Sequence, residues 1–313
     1  MFERVKLGLA LGAGGARGMA HLGVLKALEQ AGIRFHCLAG SSIGAVVGAA
    51  YAVSGNAAEL EARVQEFITG DLYRTTGLEL VKNAFNDKPE TWTHRLETWL
   101  KKRYLQAKVV ARQAVLDSDV YREMISFFIP DIKIEDLPFP MWITGTDLRT
   151  GRPVAFQSGS LRDAVYASSA IPGVVLPLEK DGMLVVDGGV VNMVPSLPVR
   201  YLGADVVLAV DVDKPVVPED GFDSAFELLF RVEDVQGFYL KELQLREADL
   251  VLRPQVGQIH WSDFERASEM IRLGRDAAQE QLDAIIALNR RRIMPWNSRK
   301  PKLRDPALEW ISV

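Results

Sequence analysis

Hydrophobic positions along the chain change their period repeatedly, and each change marks an element. The apolar run VKLGLAL (5–11) predicts a strand and gives way to a glycine loop, GAGGARG (12–18). In MAHLGVLKALEQAG, which follows, Leu22, Leu25 and Leu28 recur at helical spacing and Gly32 supplies a C-terminal stop. Residues 35–39 form a second apolar run, leading into GSSIG (40–44). AVVGAAYAVSG comes next, small and apolar on every side as in a helix buried against a sheet. Strand, tight glycine turn and helix thus occur twice within 55 residues, which predicts adjacent parallel strands with right-handed crossovers.

Residues 57–128 read as mostly helical. Strands are predicted at 141–146, 153–157, 184–188 and 205–212, with helices at 160–169 and near 196–202. The last third is predicted helical at 222–247 and 262–290, with the short strand DLVLRP between. No repeat or low-complexity tract interrupts this order. The reading is one α/β domain over residues 1–290, with a helical insertion near 70–130 and a basic C-terminal tail at 291–313.

Composition narrows the function classes. The chain has 313 residues, 48% hydrophobic and 25% charged, enough for a substantial core. A formal net charge of −4 offers no global basic field for nucleic acid. The one cysteine, Cys37, excludes an internal disulfide framework and sits in an apolar run as a buried small hydrophobe would. The N-terminus lacks the charge pattern and cleavage site of a signal peptide, and no stretch approaches the ~18 apolar residues of a spanning helix. A cytoplasmic protein is expected, with peripheral attachment to the inner face of the membrane left open.

GSSIG fits G-x-S-x-G, the pattern of a nucleophile elbow with Ser42 at its centre. Such a turn holds the serine in a strained conformation at a strand-to-helix junction, and small residues at Gly40 and Gly44 let strand and helix cross. The pentapeptide is common by chance; its position between a predicted strand and a predicted helix gives it weight. GAGGARG departs from a dinucleotide fingerprint, because Arg17 stands where G-x-G-x-x-G requires glycine and no acidic residue ends the second strand. Nor does it carry the Lys-Ser/Thr of a phosphate loop. A rigid turn whose amides face a transient oxyanion fits better, and two β-turn-α units would bring Gly14 and Gly15 near Ser42.

A serine nucleophile needs a base. Ser42, Asp187 and His260 stand in a Ser…Asp…His order, but IHWSDF has no strand-end or glycine-rich context. Asp187, at the end of the apolar run LVVDG and followed by Gly188 and Gly189, is the stronger candidate. A plain turn-forming Asp-Gly is its competitor. The residues alone leave these two near even.

Gly12–Gly18, Gly40–Gly44 and Asp187-Gly188-Gly189, in that order, resemble the three motifs of the patatin-like phospholipases. The resemblance extends through HLGVLKALEQAGI, ASSAIPGVVLPL and NMVPSLPVRYLGADVVLAVDV, covering roughly residues 5–212. It implies a three-layer α/β fold with a mostly parallel central sheet flanked by helices. It also implies a serine–aspartate dyad of Ser42 as nucleophile and Asp187 as base, with Gly14, Gly15 and Ile43 amides as oxyanion hole and no metal or cofactor. Gly12, Arg17, Gly18, Gly40, Gly44, Gly188 and Gly189 would support the site. One departure is Ala13, where the family's GGGxRG loop carries glycine; it is tolerable if its φ is negative.

The expected activity is hydrolysis of a phospholipid, lysophospholipid or other acyl ester. An acyltransferase on the same dyad and a non-catalytic lipid-binding module are the alternatives. Trp92, Leu96, Trp99 and Leu100 follow helical spacing beside Lys101, Lys102, Arg103 and Lys108. This stretch is either a helix packed on the core, a lid, or a contact for anionic lipid. The basic run RRRIMPWNSRKPKLR, with Trp296, is either a solvated tail or a second membrane contact.

Overall fold

The computed structural model describes residues 3–78, 114–219, 221–222, 225–257, 259–290, 292–293 and 310–313. Trp92, Trp99, the basic residues 101–108 and Trp296 lie outside them. The first unit is β1 (Leu7–Leu11), a short 3₁₀ turn at Gly15–Gly18 and α1 (Met19–Gln30). The second is β2 (Cys37–Gly40) and α2 (Ile43–Ser54), and α3 (Ala57–Thr69) and α4 (Asp71–Thr75) follow. Asn56 starts α3 by accepting hydrogen bonds from the Ala58 and Glu59 amides.

After α5 (Ser118–Phe128) come β3 (Met141–Asp147), β4 (Pro153–Phe156), α6 (Leu161–Ser168), β5 (Leu178–Lys180) and β6 (Met183–Asp187). The chain continues through α7 (Ser196–Tyr201), β7 (Val206–Val210), α8 (Ala225–Leu245) and β8 (Leu250–Leu252). It then forms α9 (Ala267–Glu280), α10 (Leu282–Asn289) and β9 (Ile311–Ser312).

The main sheet runs β9-β4-β3-β2-β1-β7-β8, with β6 on β3 and β5 on β6. Pairs β1–β2, β2–β3, β1–β7, β7–β8 and β4–β9 are parallel; β3–β4, β3–β6 and β5–β6 are antiparallel. The sheet is therefore mostly parallel, as the two β-turn-α units led one to expect. β5 and β9 were not foreseen. The last residues, read as part of a basic tail, extend the sheet instead, with the Trp310 ring edge-on to Trp142 at 5.1 Å.

Strand alternation sorts residues between two unequal layers. Leu7, Leu9, Leu11, Leu38, Ile143, Leu208 and Val210 face the larger core under α1, α2, α3, α5, α6 and α9. Ala10, Ala39, Val207 and Ala209 face the other side, where α7 and Leu245 of α8 close over small side chains.

Helix α1 is buried on nearly every side because α9 lies across it. The helices meet backbone to backbone. A Cβ on Gly23 would stand 1.9 Å from the Ile271 carbonyl oxygen, and one on Gly274 would stand 1.9 Å from that of Ala20. Gly274→Ala should therefore destabilise the fold by roughly 1–3 kcal/mol by forcing the helices apart. Thermal denaturation checks this, and an unchanged midpoint would show that the crossing can relax.

Candidate active site

One edge of β3 is shared end to end by two strands. β2 runs parallel along its first half, where Leu38 pairs with Met141 and Gly40 with Ile143. β6 comes from the opposite direction along the second half, where Val185 pairs with Asp147 and Asp187 with Gly145. The C-terminal ends of β2 and β6 thus point at one another across Thr144. Thr144 Oγ1 donates to the Gly40 carbonyl and Thr146 Oγ1 to the Asp187 carbonyl, fixing both ends.

From that junction Ser42 and Asp187 meet. Ser42 Oγ donates to Asp187 Oδ2 at 2.6 Å, and both residues are buried. Ser42 sits at φ 53°, ψ −125°, a conformation costing a non-glycine residue roughly 1–3 kcal/mol. The turn persists because its neighbours leave no alternative: a Cβ on Gly44 would lie 2.2 Å from the Leu11 carbonyl oxygen. The Ser42 amide donates to Ser168 Oγ at 3.0 Å, and the Asp187 amide donates to the Ala170 carbonyl at 3.0 Å. Residues 168–170 therefore brace both partners from beneath. ASSAIP read only as family context in the sequence; nothing in its spacing marked Ser168 as a contact of the elbow.

The second carboxylate oxygen, Oδ1, accepts from the Gly189 amide at 2.6 Å. Burial pushes the Asp187 carboxyl up to about 6, against the lowering effect of the Ser42 and Gly189 hydrogen bonds. A carboxylate this dry is a better base than one in water.

Among the described residues no imidazole is bonded to either Asp187 oxygen. His260 Nδ1 is 2.7 Å from Ser262 Oγ, and His21 is fully enclosed with Nε2 2.8 Å from the Gly12 carbonyl. Burial lowers the His21 ring to about 4, so it is neutral at physiological pH and holds the glycine loop in place. His36 is exposed at the opposite end of β2, and His94 lies outside the described residues.

The glycine loop faces the elbow through Gly18, whose Cα leaves no room for a Cβ beside Ile43. Its amides divide into two sets. Those of Gly12, Ala13 and Ala16 donate to the Val210, Met193 and Trp261 carbonyls. Among the described residues no acceptor bonds to the amides of Gly14, Gly15 or Ile43.

Arg17, 7% exposed, donates from Nε to the Gly14 carbonyl at 3.1 Å and from Nη2 to Asp213 at 3.1 Å. In a trans peptide the carbonyl and the next amide point oppositely, so this clamp turns the Gly15 N–H away from Arg17. Gly15 has φ 59°, and Ala13 is not among the positive-φ residues, so the alanine departure does not strain the loop. Lys241 joins Asp213 and Asp211 at 3.4 and 3.3 Å, extending the clamp into a buried ion network.

A narrow apolar cavity of about 80 Å³ opens beside Ser42. Met19, Val46, Phe67, Met124, Ile125 and Phe128 are among its lining residues. Tyr121 also lines it and donates its hydroxyl to the Ser169 carbonyl. Among the described residues no three His, Cys, Asp or Glu side chains converge as a metal would require.

Residues 9–200 match the family model described as patatin-like phospholipase. An uncharacterised NTE family protein of Mycobacterium tuberculosis is 34% identical over 208 residues, 66% of this chain and 49% of that one. Patatin-like phospholipase domain-containing protein 6 of Mus musculus is 31% identical over 256 residues, 81% of this chain and 16% of that one. The chain therefore spans half the length of the first of these relatives or less of the second. The crystal structure of VipD from Legionella pneumophila aligns with 90% of this chain and 67% of its own, at 15% identity and a TM-score of 0.47.

The raised carboxyl links the site to stability. Asp187 binds its proton more tightly folded, at about 6, than at its ordinary 3.8. Its contribution favours the fold below about pH 4 and is lost as pH rises through about 6. Asp187→Asn should consequently be the more stable protein at pH 8, by up to about 3 kcal/mol, with the difference vanishing near pH 4. Denaturant titrations at the two pH values test this; a variant less stable at pH 8 would mean that the ionised pair stabilises the fold.

Proposed function

The chain belongs to the patatin-like phospholipase family, and from that premise we propose that it is a serine lipid acyl hydrolase working through Ser42 and Asp187. The observation carrying this reading is the buried 2.6 Å hydrogen bond from Ser42 Oγ to Asp187 Oδ2 at a strained strand-to-helix turn.

In this mechanism Ser42 Oγ attacks the acyl carbonyl carbon while its proton passes to Asp187 Oδ2. The carbonyl electron pair moves to the oxygen, which the Gly14, Gly15 and Ile43 amides receive; each such donor is typically worth about 3 kcal/mol. The 12-residue helix α2 adds the positive end of its dipole at the same place. Collapse of the intermediate breaks the ester bond, and the departing alcohol takes the proton from Asp187. Water then attacks the acyl-Ser42 ester and gives its proton to Asp187. Release of the fatty acid returns that proton to Ser42 Oγ.

The apolar cavity supports an acyl chain as the group bound beside Ser42. Its lining offers a hydrocarbon tail many contacts and a head group few, which favours esters of fatty acids over small polar ones. Arg17 is read as a positioning residue: its buried guanidinium is bonded to the Gly14 carbonyl and to Asp213 and so holds the glycine loop.

Ser42→Ala should abolish labelling by a fluorophosphonate probe and, like Asp187→Asn, lower hydrolysis of a lysophospholipid by about 10⁴-fold or more. His260→Ala should keep most of the activity. Full activity in the Asp187 variant would end the dyad reading, and loss in the His260 variant would restore a triad. Because the base must be ionised, kcat/KM should climb with pH through about 6 and then level. A flat profile from pH 5 to 8 would remove Asp187 from that role.

A further inference from the structure

The peptide unit between Gly14 and Gly15 is flanked by two residues without side chains, and Gly15 has φ 59°. Concerted rotation of Gly14 ψ against Gly15 φ can reverse such a unit while the chain on either side stays in place. Gly15 lines the cavity beside Ser42, so the two orientations differ in what the unit presents there. With the carbonyl turned away, the N–H can meet an oxyanion; reversed, the carbonyl oxygen would repel one. A four-residue 3₁₀ turn holds its first carbonyl weakly. Arg17 adds a charge-assisted bond to it, from Nε at 3.1 Å.

Arg17 is in turn held by residues far along the chain. Its Nη2 donates to Asp213 Oδ1 at 3.1 Å, and Lys241 Nζ donates to Asp213 Oδ2 at 3.4 Å. Buried Lys241 also reaches Asp211 Oδ1 at 3.3 Å. Both carboxylates stand just past the end of β7, whose Val210 pairs with Leu11 immediately before the glycine loop. Their turn is fixed from within: the Asp213 amide donates to Asp211 Oδ1 at 3.1 Å and the Lys214 amide to Asp213 Oδ1 at 2.8 Å. Asp234 and Asp211 also act on the Arg17 charge. A guanidinium that lost Asp213 would be drawn toward them and away from Gly14.

Stability explains this network poorly. Desolvation of a guanidinium, an ammonium and two carboxylates opposes folding about as strongly as their attraction favours it. At the outer end, half-exposed Arg253 joins Asp211 and Glu242 where solvent screens the charges. What the buried part supplies is a fixed direction for Arg17.

We propose, on the basis of the Ser42–Asp187 reading above, that Asp213 and Lys241 are positioning residues for the oxyanion hole. Through Arg17 they keep the Gly14–Gly15 peptide unit turned with its N–H toward the cavity. Helix α8, none of whose described residues lines that cavity, thereby bears on the rate of the reaction.

The test is steady-state hydrolysis of a lysophospholipid by the full chain and its variants, well below each thermal midpoint. Arg17→Met should lower kcat about 10²-fold, the loss of one oxyanion donor, with KM unchanged. Asp213→Ala and Lys241→Met should each lower kcat about tenfold, again at constant KM. Asp213→Asn, which keeps an acceptor for Arg17 Nη2, should retain more activity than Asp213→Ala. In the Arg17→Met background neither Asp213→Ala nor Lys241→Met should lower kcat further, because both act through Arg17. A long-chain alkyl trifluoromethyl ketone, whose tetrahedral adduct with a reactive serine carries the oxyanion, should bind more weakly by the same factor as kcat/KM falls.

Full kcat in Asp213→Ala or Lys241→Met would overturn the inference. So would a loss that repeats undiminished in the Arg17→Met background, or a rise in KM at constant kcat. In each of these cases wild-type hydrolysis and fluorophosphonate labelling of Ser42 leave the dyad reading standing. A wild-type chain that shows neither ends that reading and this inference together.

Discussion

A hydroxyl and a carboxylate held 2.6 Å apart away from water depend on the backbone to bring them there, because serine and aspartate side chains are too short to correct a misplaced strand. Here the backbone solution is the sharing of one edge of β3 by β2 and β6, which approach from opposite directions and stop on either side of Thr144. The elbow, the Asp-Gly-Gly turn and the brace at residues 168–170 all follow from that arrangement. A one-residue slip of β6 would send Asp187 to the other face of the sheet. The antiparallel strand in an otherwise mostly parallel core is thus what brings Asp187 to Ser42.

The site opposes the stability of the fold in several places. Ser42 is held in a backbone conformation that serine disfavours, and Asp187 is desolvated enough to raise its carboxyl to about 6. These costs are offset by polar bracing of the Ser42 amide, the Asp187 amide and the Asp187 carbonyl. The amides proposed to receive the oxyanion have no acceptor among the described residues. Unmade hydrogen bonds beside the proposed nucleophile are what a transition state could use and a ground state could not.

Much of this was legible in the sequence, because the features concerned are local. Glycines on either side of Ser42, a loop lacking a nucleotide fingerprint, and an aspartate ending an apolar run each have a physical reason within a few residues. Ser168, Ala170 and Thr144 were not legible as parts of the site. Their contributions are contacts across 126 residues or more in the first case, and a serine in a helix carries no mark of what its hydroxyl meets. His260 looked eligible by order alone and is bonded to Ser262. Strand β9 was hidden in a basic stretch because two apolar residues, Ile311 and Val313, are too few to set a period.

The crossing of α1 and α9 bears on how the chain is made. Residues 9–200 contain every motif, yet the atoms packed most closely on Gly23 belong to Ile271 and Arg275, and the Ala16 amide finds its acceptor at Trp261. During synthesis the glycine loop and elbow emerge early and wait for some 250 residues of further chain before their cover arrives. Contacts of such sequence separation close late. A nascent chain therefore carries Ser42 and the glycine loop long before Trp261 and the Ala267–Glu280 helix arrive to cover the loop and the helix that follows it.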